Sequence, residues 1–348
     1  MNKVMNSDTP ISISAPYLVY FGDVQEESFA KTGLGLAQWR REDCVGQMSR
    51  PGCEIRSALP DLTIEQAVAE GAKSIVIGVA SVGGAIPSHW VDDLASAARH
   101  GLDIVSGMHS RLTSIPVLVE ATSTSGARLL DIRTPPPDLP IATGDKRSGK
   151  RLLTVGTDCA VGKKYTALAI EKEMQARRWN VDFRATGQTG IMIAGSGIPI
   201  DAVVSDFIAG AAEILSPAAD EGHWDVIEGQ GSLSHPSFAG VSLGLLHGSQ
   251  PDALVLCHDA ARSSVSGLGL DRFPILPFSE TIECALAHAH RVNSNARFVG
   301  LSVNTSRIES TKRLDLLDQY AEETGLPVID PIIDGTGPIV DRIASEFS

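Results

Sequence analysis

The sequence has no C-x-x-C pair; its five cysteines (Cys44, Cys53, Cys159, Cys257 and Cys284) are scattered along 348 residues. Such spacing offers neither a structural zinc site nor a disulfide framework, and reduced thiols in a cytoplasmic protein are expected. Aromatic residues are scarce at 5%, so there is no stacking platform for single-stranded nucleic acid. Excess positive charge is missing too: the formal charge is −13, which argues against broad binding to nucleic acid or to an anionic membrane. One local basic pocket for a phosphorylated ligand is still compatible with that balance. Long apolar runs are also absent. Ser74–Ala80 is among the longest, far short of the ~20 residues that span a bilayer. The stretch MNKVMNSDTPISISAPY holds no apolar run of signal-peptide length. Repeats and low-complexity tracts are lacking as well. What is present is a globular composition, 43% hydrophobic and 20% charged, at a length that favours two domains.

Short apolar runs alternate with helical patterns. Strands are expected at Tyr17–Phe21, Ser74–Ala80, Leu102–Ser106 and Ala127–Ile132, and helices at Thr63–Gly71 and Ser88–Gly101, each closed by glycine. Apolar strands separated by helices imply a parallel sheet covered on both faces, so residues 1–135 read as a Rossmann-like domain. TPPPDLPIATGDKRSGK (Thr134–Lys150) is rich in proline, glycine and charge, and residues 136–150 read as a linker. The rhythm resumes over residues 151–348. Strands are expected at Arg151–Val155, Val181–Ala185, Trp224–Ile227, Ala253–Cys257, Phe298–Val303 and Pro327–Ile329. Helices are expected at Gly162–Arg178, Ala202–Leu215 and Thr311–Thr324. The fold class is α/β, with the second domain a doubly wound parallel sheet of the P-loop NTPase-like kind.

The most informative segment is the turn after Arg151–Val155: Gly156-Thr157-Asp158-Cys159-Ala160-Val161-Gly162-Lys163-Lys164, followed by Tyr165. It joins a buried strand to a helix, where a phosphate loop belongs. Its glycines let the backbone curl so that several N–H groups face one anion, and the helix beginning near Gly162 adds its positive end. Lys163 supplies a point charge. Gly156 to Tyr165 are the candidate cofactor-binding residues. The spacing departs from the common pattern: five residues lie between Gly156 and Gly162, and Lys164 stands where a magnesium-binding hydroxyl follows the lysine. The next hydroxyl is Thr166. This departure preserves polyphosphate binding and weakens the case for Mg-ATP chemistry; the alternative is a glycine-containing strand–helix turn that binds nothing.

GTDCAVGKK resembles the phosphate loop of dethiobiotin synthetase, and WDVIEGQGS (Trp224–Ser232) is similar to a segment of the same fold. A closer resemblance is to a family long catalogued as a domain of unknown function, in which a Rossmann-like domain precedes a P-loop domain. It runs through YFGD (Tyr20–Asp23), IGVASVGG (Ile77–Gly84), SGMH (Ser106–His109), DIRTPP (Asp131–Pro136), ATGQTGIMIAGSGIPIDAVVSDF (Ala185–Phe207), EGQGSLSHP (Glu228–Pro236) and LVLCHDAAR (Leu254–Arg262). Members are associated with D-glutamate N-acetyltransferase activity. The resemblance implies D-glutamate as substrate, acetyl-CoA as co-substrate with no metal required, a role in D-amino-acid catabolism, and a partner enzyme that processes N-acetyl-D-glutamate. The pyrophosphate of CoA would suit a P-loop without its magnesium hydroxyl.

Acetyl transfer needs a polarised carbonyl, a deprotonated amine and aligned reactants. In a doubly wound sheet the strand C-termini face the ligand. The candidate catalytic residues are therefore Glu228, closing Trp224–Ile227; His235, the other base in that loop; and Asp158, which either takes a proton or caps loop amides. Cys159 near a helix start is either a low-pKa thiol or a small filler. Candidates for the substrate carboxylates or polar groups are Gln188, Thr189, Arg262, Arg111 and Arg133. His258, Asp259 and Asn304 also close strands, and Ser81–Gly84 and Ser106–His109 are turns of the first domain that read either as amino-acid binders or as plain turns. Asp206 is expected on a helix. The alternative to a transferase is a Mg-ATP-dependent ligase of the dethiobiotin-synthetase type; a nucleotide-binding regulatory protein is a third class. A homo-oligomer is the base-rate expectation.

Overall fold

The computed structural model describes residues 11–27, 29–79, 84–267 and 269–347. Ser81, Val82 and Gly83, in the first of the two candidate turns, lie outside the described residues. The chain divides into two compact units. One comprises the chain up to Pro137 together with Gly187–Ala202; the other comprises Asp138–Thr186 and Val203 onwards.

The first unit is built on a five-stranded parallel sheet in the order Cys44–Ser49, Tyr17–Gly22, Ser74–Ile77, Asp103–Ser106, Leu129–Asp131. Every residue of the three central strands is buried, as expected of parallel strands covered on both faces. Helix Ile64–Ala69 starts at a Thr63/Gln66 capping box, and helix Val91–Arg99 carries Asp92 and Asp93 in its first turn, where the helix dipole favours acid. Helices Lys31–Trp39, Pro116–Ser125 and Gln188–Ala194, strand Cys44–Ser49 and the short strands Ile11–Ser12 and Ser196–Gly197 were not anticipated. KTGLGLAQW and CVGQMS contain glycines that dilute helical and strand periodicity alike.

Gly187–Ala202 joins this first unit through specific contacts. Ser196–Gly197 pairs antiparallel with Ile11–Ser12, and the Ile13 N–H donates to the Gly195 carbonyl at 2.8 Å. The Arg40 Nε donates to the Ile193 carbonyl at 2.9 Å, and Arg133 pairs with Asp201 at 2.9 Å. The stretch expected as a linker also differs, since from Asp138 it clusters with the second unit. There Lys146 pairs with Asp252 at 3.0 Å and Arg147 with Glu213 at 3.6 Å. Proline-rich and glycine-rich composition reports the absence of regular structure, not the absence of packing.

The second unit holds a six-stranded parallel sheet in the order Val328–Ile329, Arg297–Asn304, Ala253–Asp259, Lys150–Gly156, Trp224–Ile227, Val181–Arg184. Lys150–Gly156 lies at the centre, and successive strands are laid down first on one side of it and then on the other. The loop that follows it therefore sits at a topological switch point, beside the ends of Trp224–Ile227 and Ala253–Asp259, where α/β sheets bind ligands. At the opposite end of the sheet Arg151 is 1% exposed. Its five N–H groups all find acceptors: Nε donates to Ser216 Oγ, and the two terminal nitrogens donate to the carbonyls of Arg147, Gly149, Ser148 and Pro217 at 2.9–3.3 Å. Among the described residues no helix is long and apolar enough to cross a membrane.

Candidate active site

The strand Lys150–Gly156 ends in a curled loop that leads into helix Lys163–Ala176. Ala160 and Gly162 take left-handed conformations, with φ of 53° and 105°. The loop wraps around the buried Lys163 ammonium, which donates to the Asp158 carbonyl at 2.8 Å. Gly156 has to be glycine here, because a Cβ would lie 2.8 Å from Lys163 Nζ and 2.8 Å from the Asp158 carbonyl oxygen. Burial lowers the Lys163 pKa from its ordinary value, against the attraction of Cys257, Cys159 and Asp158. Thr157 shares a 3.0 Å hydrogen bond with His258 Nδ1. Burial pushes His258 down to about 4, so the ring is neutral. Lys164 lies over the Tyr165 ring at 4.3 Å.

Asp158 is fully buried and organises the loop. Its Oδ1 accepts from the Cys159 N–H at 2.6 Å; its Oδ2 accepts from Arg262 at 2.6 Å and from the Ser266 N–H at 2.7 Å. Burial pushes its pKa up, but the Cys159 and Ser266 amides and Arg262 outweigh it, and the net shift is downward. A carboxylate held ionised by three donors is a poor proton acceptor. The Cys159 thiol is pushed up, mainly by burial, although Lys163 and Arg262 oppose this. That corrects the low-pKa reading of this cysteine, because desolvation outweighs the nearby positive charges. Arg262 also donates to the carbonyls of Cys159 at 2.6 Å and Ala160 at 3.4 Å, and lies 3.3 Å from Asp259. It thus clamps the loop from outside.

His235 has both ring nitrogens committed. The Ser237 N–H donates to Nδ1 at 3.1 Å, so the ring proton sits on Nε2, which donates to the Ser266 carbonyl at 2.9 Å. Its Nε2 lies 3.7 Å from Asp158 Oδ1. His235 therefore ties two loops together and offers no free lone pair for a proton. Glu228, also buried, accepts from the Thr186 N–H at 3.0 Å, while the Thr186 hydroxyl donates to the Glu228 carbonyl at 2.6 Å. The next residue, Gly229, passes so close to the central strand that a Cβ would lie 1.6 Å from the Thr154 carbonyl oxygen and 3.0 Å from Lys163 Cδ. This packing sets Glu228 one residue from the lysine stem. Thr166 is withdrawn from the loop: its hydroxyl lies 2.7 Å from Ser302 Oγ and 3.1 Å from the Gly162 carbonyl, and it accepts weakly from the Cys257 thiol.

The second unit thus brings together Gly156 to Tyr165, Glu228, His235 and Arg262. The remaining candidates belong to the first unit. Thr189 shares a 2.9 Å hydrogen bond with Thr32. The Gln188 side chain packs against Gly107, and its Oε1 is buried without a hydrogen-bond partner. Arg133 is paired with Asp201, and Arg111 is exposed. Gln188 and Thr189 follow strand Val181–Arg184 in the chain, but Gly187–Ala202 clusters with the first unit. Asp206 lies on a short 3-10 turn, Ser205–Phe207, rather than on a helix. Ser266 was missed altogether; it joins Asp158 to His235 through one N–H and one carbonyl. No local motif marks it.

Among the described residues two clusters have metal-compatible ligand atoms, Asp158–Cys159–His235 and Asp182–His223–Asp225. In the first, Arg262 already neutralises Asp158. In the second, Arg184 pairs with Asp225 at 2.6 Å and with Asp182 at 3.0 Å. In both, a guanidinium already pairs with the carboxylates that would serve as ligands.

Fold and loop define a two-domain α/β protein with a phosphate-binding loop at a switch point. Residues 140–340 match "Domain of unknown function (DUF1611_C) P-loop domain", and residues 42–135 match "Domain of unknown function (DUF1611_N) Rossmann-like domain". The chain belongs to this family. Two curated relatives carry the name D-glutamate N-acetyltransferase. One, from Pseudoalteromonas sp, is 48% identical over 96% of this chain and 100% of its own length. The other, from Tritonibacter scottomollicae, is 46% identical over 96% of this chain and 99% of its own. A crystal structure of a DUF1611 family protein from Anabaena variabilis is 30% identical, covers 95% of this chain and 100% of its own, and superposes with a TM-score of 0.82. Within the family, this chain stands with the enzymes that bear the N-acetyltransferase name.

Proposed function

We propose that this protein is an acetyl-CoA-dependent N-acetyltransferase acting on D-glutamate. The observation that carries the donor assignment is the loop itself. Lys163 is a buried ammonium with three donors and a single hydrogen bond among the described residues, to a loop carbonyl. Such a group is prepared for an anion. Lys164 replaces the hydroxyl that would ligate magnesium, and Thr166 is bonded into the core. That combination favours a pyrophosphate that is held over one that is cleaved. The acceptor assignment rests on the two curated relatives.

In this reading the loop amides, Lys163 and Lys164 hold the phosphates of CoA, and Asp158, Arg262 and His235 keep the loop in shape. Glu228 takes the proton from the ammonium of D-glutamate. The freed amine attacks the thioester carbonyl carbon and the C–N bond forms; as the C–S bond breaks, the second proton leaves the now positively charged nitrogen for the departing sulfur, so that a neutral amide forms and CoA leaves as the thiol. Donors at the end of the central strand stabilise the oxyanion between those events. The product, N-acetyl-D-glutamate, would pass to a partner enzyme of D-amino-acid catabolism, and we place the reaction in the cytoplasm.

The test is a thiol-release assay with acetyl-CoA and D-glutamate in EDTA, with L-glutamate and D-aspartate as parallel acceptors. Release of CoA with D-glutamate alone is the expected result. No release, together with Mg-ATP consumption, would replace this reading with a ligase.

A further inference from the structure

We infer that Arg307 binds the 3′-phosphate of CoA and so selects 3′-phosphorylated acyl donors; the inference rests on the acetyl-CoA reading and deepens it. Arg307 lies in the turn after strand Arg297–Asn304. That strand pairs with Ala253–Asp259, which in turn pairs with the strand that ends in the phosphate loop. A chain of contacts joins Arg307 to the loop. Arg262 donates to the loop carbonyls of Cys159 and Ala160, and its Nε lies 3.3 Å from Asp259 Oδ2. The same oxygen accepts from Arg307 Nη2 at 2.7 Å.

The charge at this corner does not balance. Asp259, with a side chain 5% exposed, offers one negative charge to two guanidiniums. Other acids nearby are engaged: Glu309 pairs with Lys312, Asp330 accepts from Thr305, and Asp334 pairs with Arg313. The Arg307 side chain is 57% exposed, and among the described residues it makes one hydrogen bond. One N–H thus anchors the guanidinium on Asp259 and four are left over. An anchored, planar fork with spare donors is prepared for an oxyanion with several oxygens, such as a phosphate.

The order of strands says which phosphate. Glu228 follows Trp224–Ile227, on one side of the central strand, and Arg307 follows Arg297–Asn304, on the other. The loop lies between them. CoA is built in the same order: its pyrophosphate joins a pantetheine arm, ending in the thioester, to an adenosine that carries the 3′-phosphate. With the pyrophosphate on the loop and the thioester directed to Glu228, the adenosine end is left to the Arg307 side. D-Glutamate, whose ammonium meets Glu228, is across the loop from Arg307.

The test compares acetyl-CoA with 3′-dephospho-acetyl-CoA as donors, by thiol release with saturating D-glutamate in EDTA, in the unaltered protein and in Arg307→Gln. In the unaltered protein kcat/KM should be about 10- to 100-fold higher for acetyl-CoA, the scale of a hydrogen bond to a charged group. In Arg307→Gln the preference should shrink to within about twofold, since acetyl-CoA loses the contact and the dephospho donor has none to lose. The variant should melt with the unaltered protein, because the side chain is exposed. A purely structural role would slow both donors and keep their ratio, and that result would overturn the proposal. Equal use of the two donors by the unaltered protein, a comparison that needs no variant, would overturn it too and leave the acetyl-CoA reading standing. No thiol release from either donor would remove the acetyl-CoA reading and this inference with it.

Discussion

Two ends of one sheet bury positive charge in opposite ways. At one end Arg151 uses all five of its donors on a serine hydroxyl and four carbonyls. At the other, Lys163 is buried to a similar degree and makes one hydrogen bond with its three donors among the described residues. The first arrangement is complete within the chain and has nothing to offer a ligand. The second leaves donors over; burial lowers the pKa of both groups, so it is the hydrogen-bond count that separates them. Buried charge that is satisfied holds a fold together; buried charge left short of partners marks a place where something binds.

The comparison breaks most visibly at Arg151. Arg151→Met should cost about 3–5 kcal/mol of stability, the scale for removing one partner from a buried charged network, because five acceptors lose their donor and Asp225 loses a nearby positive charge. Denaturant unfolding would show the loss, and the activity of the molecules still folded should be unchanged. Lys163→Met should do the reverse. Thiol release at sub-saturating acetyl-CoA should fall by about 10- to 100-fold, the scale for loss of a charge-assisted hydrogen bond to a bound phosphate, and the melting temperature should hold or rise as an under-partnered buried ammonium disappears.

His258 sharpens the contrast through pH. Its pKa is about 4 in the folded protein against an ordinary 6.5, so both states are neutral above 6.5 and the full stability is present there. As pH falls from 6.5 towards 4, the unfolded chain takes up the proton first, and stability declines by up to about 3 kcal/mol. His258→Gln should flatten that part of the stability curve, measured by unfolding midpoints from pH 7 to 4. The smallest effect concerns Thr166. Thr166→Val should leave the turnover rate within about twofold, since its hydroxyl faces Ser302 in the core; a core hydroxyl swap of this kind acts on stability and not on chemistry. Loss of activity that excess magnesium restores would contradict the role assigned to the loop.

Much of the second unit's sheet was legible because its strands are short apolar runs ending in glycine or in a polar residue. Trp224–Ile227 has the observed bounds, and Glu228 follows from them. The phosphate loop was legible because its chemistry is local: two glycines and a lysine within nine residues of chain. What those residues touch was not. Asp158 reads equally well as a base or as a cap until Arg262 and Ser266 are seen on its carboxylate, and both lie more than a hundred residues further along. His235 looked like a spare base because a sequence does not show that Ser237 and Ser266 occupy its nitrogens. Gln188 and Thr189 follow a P-loop strand in the chain yet pack with the other unit, since pairing of Ser196–Gly197 with Ile11–Ser12 is a long-range event.

The excursion of Gly187–Ala202 into the first unit has a genetic consequence. Neither unit corresponds to one uninterrupted stretch of coding sequence, for the chain crosses between them after Pro137, after Thr186 and after Ala202. A gene cut at the first crossing would yield one fragment missing an antiparallel strand partner and another carrying a stranded segment. Recombination that trades whole modules at that point would therefore be disfavoured, and the two halves are bound to be inherited together.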